Sequence, residues 1–155
     1  MVVDVRQLQD FVRTARAYCA WAEEPALSND EDMATAARLL ARLCAEAYEL
    51  PACFDDENAP DVPREQWEAV SRRFAALPFD CYVSCAAPSN LESPEPVAGY
   101  LAHHLTEIWS DLRAGLALYD KGNEASAAWE WRESFHSHWG RHATSALHAI
   151  HCWRT

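Results

Sequence analysis

Residues 97–152, VAGYLAHHLTEIWSDLRAGLALYDKGNEASAAWEWRESFHSHWGRHATSALHAIHC, decide the fold. Leu101, Leu105, Ile108, Leu112, Leu116 and Tyr119 recur at three and four residues, the period of one helix face, and predict a helix over 97–120. DKGN at 120–123 is turn chemistry, with Gly122 where a helix end takes a left-handed residue. Beyond it Ala128, Trp131, Phe135, Trp139, Ala143, Ala146 and Ile150 predict a second helix over 123–152. So short a link folds two long helices into an antiparallel hairpin.

The same period runs upstream. Trp67, Val70, Phe74 and Leu77 predict a helix over 64–77, starting after Pro63, whose fixed φ suits a first turn, and stopping before Pro78. Met33, Ala36, Leu40, Leu43 and Ala47 place another over 30–49, and Ser28 with Glu31 three residues later reads as its capping box. Leu8, Phe11, Val12, Ala15, Tyr18, Cys19 and Ala22 place a third over 4–24. Residues 51–62 form an acidic loop punctuated by proline. Residues 78–96 read as irregular: Phe79, Cys81, Val83 and Cys85 alternate as a strand would, but no second strand offers a partner. The expectation is an all-α chain, one domain over 1–155, a bundle of about five helices ending in the long hairpin.

With 155 residues, half of them hydrophobic, the chain can bury a core without disulfides or metal. Its start, MVVDVRQLQDFV, lacks the pattern of an export signal, and no run approaches a membrane span, so the expectation is a cytoplasmic protein without a membrane partner. The six cysteines then read as reduced thiols. Cys81 and Cys85 would approach each other only if one helical turn separated them.

The net charge of −11 is uneven. Between Glu23 and Asp61 stand eleven acidic residues against Arg38 and Arg42, a local balance of −9. That field repels phosphate backbones and anionic lipid, which excludes nucleic acid as a partner and favours a basic protein. Glu23, Glu24, Asp30, Glu31, Asp32, Asp55, Asp56, Glu57 and Asp61 are the candidate acidic face.

Within the second hairpin helix, WEWRESFHSHWGRH at 129–142 concentrates chemical side chains. Trp131, Phe135 and Trp139 belong to the core stripe. His138 and His142, four apart, share a helix face, as do His104 and Glu107, three apart. If the link centres on Lys121 and Gly122, residues facing each other have numbers summing to about 243 at equal helical rise. His104, Glu107, His138 and His142 then lie at one level, a candidate metal site for zinc, iron or manganese. Asp111 falls opposite Arg132, which suggests an ion pair fixing the register.

The run from Leu105 to His151 resembles the C-terminal signature of the bacterial domain-of-unknown-function family 5063, a WEWRxSFxxHWGxHA-like segment. The matching positions are Glu107, Asp111, Trp131, Arg132, Phe135, His138, Trp139, Gly140 and His142, with Glu107 where an aspartate is expected. The resemblance implies a helical fold and a shared site on the hairpin, and no activity.

No nucleophile stands beside a base and no phosphate-cradling glycine loop is present, so no catalytic residue is assigned. The leading expectation is a non-enzymatic module that binds a protein through its acidic face; an immunity- or antitoxin-like role fits its charge and size. The alternative is a helical-bundle protein binding a divalent metal ion through His104, Glu107, His138 and His142. A remoter one is a helical ribonuclease using Arg132 and His138, whose six-residue separation puts them about 120° apart around the helix.

Overall fold

The computed structural model describes residues 4–155 apart from Asp56 and Ser93. Helix α1 spans Val5–Glu23, its N-terminus closed by the Asp4 carboxylate accepting from the Arg6 N–H. Helix α2 spans Asn29–Tyr48, and the Ser28–Glu31 capping box forms as its spacing predicts. Helix α3 spans Arg64–Phe74. It ends short of Leu77 because the Ala76 and Leu77 N–H groups bond to carbonyls three residues back, tightening the chain ahead of Pro78.

Two regions depart from expectation. Cys81–Cys85 and Pro96–Tyr100 are strands β1 and β2, antiparallel, with Tyr82 opposite Gly99. The partner missing from the sequence reading of Phe79–Cys85 is thus the stretch assigned to the start of the hairpin helix. Cys81 and Cys85, four apart on one strand, are separated by about 13 Å of extended chain and cannot meet. Helix α4 consequently begins at Leu101 and runs to Asp120. Asp80 caps it from across the ribbon, its carbonyl accepting from Leu101 N–H and its carboxylate from Ala102 N–H.

The second departure lies in the last helix. After a turn in which Gly122 takes φ +87° and Asn123 N–H bonds back to the Leu118 carbonyl, α5 spans Glu124–Ser134. A π-helical turn, Phe135–Trp139, separates it from α6, Gly140–Arg154. The Gly140 N–H bonds to the carbonyl of Phe135, five residues back. A Cβ on Gly140 would stand 2.3 Å from that oxygen, so the turn depends on a residue without one.

The core lies where α1, α2 and α4 meet the α5–α6 helix. Trp131, Phe135 and Trp139 are buried there as their stripe predicts, with Phe11 against Trp131 at 5.0 Å between ring centroids. Buried indoles need hydrogen-bond acceptors. Trp131 donates to the Leu112 carbonyl, Trp139 to the Trp131 carbonyl, Trp109 to Glu23 and Trp21 to Asp32. Trp131 sits so close to α4 that a Cβ on Gly115 would come within 2.1 Å of its Nε1.

Several members of the expected acidic face have partners within the chain, and one of them is buried. Asp32 is 2% exposed and takes a bidentate ion pair from Arg73, at 2.8 and 3.0 Å, as well as the Trp21 N–H. It is a buried structural carboxylate and cannot face a partner. Glu23 grips Arg113 and Trp109, Glu31 closes the α2 cap, and Glu57 accepts from Asn123 and Ser126. Glu23, Glu24, Asp30, Glu31, Glu57 and Asp61 are exposed, Asp55 is half-buried, and Asp56 lies outside the described residues. Among the described residues, no helix is long and apolar enough to cross a membrane.

Candidate functional site on the terminal hairpin

The expected Asp111–Arg132 pair does not form. The Asp111 carboxylate instead meets His138 Nδ1 at 2.6 Å. Up to Trp131 the hairpin keeps the register of uninterrupted helices, as the Trp131–Leu112 bond shows. The π turn then places an extra residue in the winding, which reorients His138. Helical side chains also lean toward their own N-termini. In an antiparallel pair the leans of Asp111 and His138 converge, which closes the offset between them.

The four candidate metal residues do gather at one level. His138 Nε2 stands 3.3 Å from His142 Nε2 and 3.6 Å from Glu107 Oε2. The His142 ring stacks on His104 with centroids 4.4 Å apart, and Tyr82 OH hydrogen-bonds His104 Nδ1. His103 Nε2 borders Glu107 at 4.0 Å. Gly99 makes the Tyr82–His104 contact possible, since a Cβ there would press within 2.7 Å of the tyrosine ring. Among the described residues, no three His, Cys, Asp or Glu side chains converge as a group that could hold a metal ion.

Burial shifts four groups here, His142, His104, Tyr82 and Asp111. It pushes His142 down to about 4, helped by neighbouring His104, His138, His103 and Arg141, so the ring is neutral at neutral pH. Burial, with His103, likewise lowers His104 against the pull of Asp80 and Glu107. Burial raises the Tyr82 phenol to about 12, so it stays protonated beside His104 Nδ1. Burial raises Asp111 too, opposed by its bond with His138. With Asp111 accepting from His138 Nδ1–H, the Nε2 lone pair of His138 points at His142 and Glu107. It can accept from His142 Nε2–H or bind a cation.

Tyr82, His103 and the tie between Asp111 and His138 were not expected from the sequence. The alternation around Tyr82 carried a signal, but only once PVAGY is recognised as its partner strand. No ion pair engages Arg132 among the described residues, and His138 is held by Asp111.

Fold and site together define a helical bundle with a small β-ribbon and a histidine–carboxylate cluster on its terminal hairpin. The chain belongs to the family described as Domain of unknown function (DUF5063), whose model matches residues 4–155. It is similar in fold to the crystal structure of protein BF1032 from Bacteroides fragilis, with a TM-score of 0.82 and 21% identity, covering 97% of this chain and 94% of the other. No curated protein matches it.

Proposed function

We propose that this protein binds a divalent transition-metal ion between His138, His142 and Glu107. One observation carries the reading: Asp111 holds His138 by Nδ1 and presents its Nε2 to a second imidazole Nε2 at 3.3 Å. Two ligands with bonds of about 2.1 Å on a tetrahedral ion lie about 3.4 Å apart. A carboxylate bound to the far nitrogen is the usual support of a metal-ligating histidine, fixing its tautomer and raising its basicity. The Glu107 carboxylate, 3.6 Å from His138 Nε2, would complete the set by a small inward movement. His104 supports the group by stacking on His142, while its Nδ1 is engaged by Tyr82.

Untagged protein, purified without chelator and then stripped, is titrated with cobalt(II) and zinc(II) by calorimetry and visible absorption. The reading expects one ion per chain, tetrahedral cobalt bands, and loss of both in His138→Ala and His142→Ala. Folded protein that takes up neither ion, or variants that bind like wild type, overturn it.

A second reading, a basic protein partner, draws support from a different surface. Tyr48 is 66% and Phe54 77% exposed, packed edge-on against Phe135 and Trp129 beside Glu49 and Asp55. Exposed aromatics within an acidic rim suit a protein interface better than solvent does. The partner recovered from native cells should bind more weakly on Phe54→Ala and with rising salt; affinity unmoved by both rejects the reading.

A further inference from the structure

A cleft of about 840 Å³ opens between the β-ribbon and α6. Its walls include Phe79, Tyr82 and Trp153, and its α6 side includes Ser145 and Ala149. Ser145 and Ala149 continue the helix stripe of His138 and His142, so the cleft prolongs the histidine cluster, with Tyr82 in both. This volume lies within the range of small-molecule sites. Phe79 and Trp153 stack with centroids 6.4 Å apart, and Tyr82 stands edge-on to Phe79 at 6.5 Å. Trp153 is 41% exposed, so a large aromatic surface remains uncovered. Among the described residues, Glu95 is the only carboxylate on the wall, and no Lys or Arg lines the cleft.

The geometry points to a binding site for an organic cation with an apolar body, held by the aromatic faces of Phe79, Tyr82 and Trp153 and by the charge of Glu95. Aromatic rings attract cations through their quadrupoles, most strongly tryptophan. The net charge of −11 adds to the preference and disfavours an organic anion. The inference goes beyond the metal reading and does not depend on it, since no wall residue of the cleft is among the three proposed ligands.

The test uses the full chain in excess chelator, which silences any metal. Benzyltrimethylammonium is the probe, with benzyl alcohol as neutral and benzoate as anionic comparison, and binding is followed by NMR through the Trp153 indole N–H resonance and, in every variant including Trp153→Leu, through the line width of the probe's own methyl signal. The expected result is saturable, one-to-one binding that shifts Trp153. Glu95→Gln and Trp153→Leu should each weaken it about threefold or more, with benzoate about tenfold weaker than the cation. Ala149→Trp should fill the cleft and abolish the shift. Absence of saturation at millimolar probe, benzoate binding as well as the cation, or indifference to the substitutions overturns the inference. Trp153→Leu and Glu95→Gln, both at exposed positions, decide the matter if Ala149→Trp does not fold.

Discussion

Replacing Gly140 by alanine tests the link between the π turn and the site. An alanine methyl there lands 2.3 Å from the Phe135 carbonyl oxygen and 2.8 Å from its ring. Comfortable C···O contact begins near about 3.3 Å, so the carbonyl must retreat by about 1 Å, breaking the bond from residue 140 that closes the turn. Helix α6 cannot unwind to relieve it, because Ala143, Ala146 and Ile150 fix its rotation in the core. The strain therefore stays within 135–139 and turns His138 away from Asp111. Alanine gains about 1 kcal/mol of helix propensity over glycine, against about 1–3 kcal/mol for forced overpacking. A net loss of about 1 kcal/mol, or a fall in Tm of about 3 °C, is expected from denaturant and thermal unfolding. The His138 imidazole resonances should shift and zinc affinity drop. A Gly140→Ala protein stabilised by the full propensity gain, with His138 and zinc binding unchanged, would refute the reasoning.

Three further outcomes follow from other contacts. Asp32→Asn should cost about 3 kcal/mol at neutral pH, measured by urea unfolding, since it strands the buried Arg73 guanidinium. Burial alone would raise the Asp32 carboxyl, but bonds from Arg73, Trp21 and the Leu27 N–H outweigh it and hold it below its ordinary value. Its contribution is therefore complete above about pH 5 and is lost as pH falls through the depressed folded value, so wild type and variant should converge only in strong acid. Asp111→Asn should weaken zinc binding about 10- to 100-fold by calorimetry, while Arg132→Ala changes stability by less than about 0.5 kcal/mol, as a residue without an ion pair should. Glu46 has one buried oxygen without a partner among the described residues, and burial raises its carboxyl despite the Thr14 hydroxyl. The folded state thus binds this proton more tightly than the unfolded one. Glu46→Gln should raise Tm at neutral pH, with the gain vanishing in acid where the wild-type carboxyl is itself protonated.

Helices α1 to α3 and the hairpin turn were legible because apolar period, proline stops, the Ser28 box and Gly122 are local signals that agree. The β-ribbon was not, because Val97 and Leu101 fit a helical stripe and the alternation near Tyr82 has meaning only against a strand fifteen residues away. The grouping of His104, Glu107, His138 and His142 was readable from spacing on two facing helices. The partner of Asp111 was not, for that prediction assumed one winding from Asn123 to Cys152. Net charge misled at one position: Asp32 counts toward an acidic surface in composition, yet it neutralises Arg73 inside the bundle, while Glu23 stays exposed and pairs with Arg113.

The π turn also makes the site a matter of chain length. A π turn holds one residue more than the α turn it replaces, so deleting a single residue between Phe135 and Trp139 would leave α5 and α6 as one regular helix. The tryptophan core could persist on either side of such a deletion, while His138 lost its place beside Asp111. Relatives with this fold can therefore differ in whether they keep the cluster by one codon, and should be sorted by the spacing from Trp131 to His142 before any comparison of side chains.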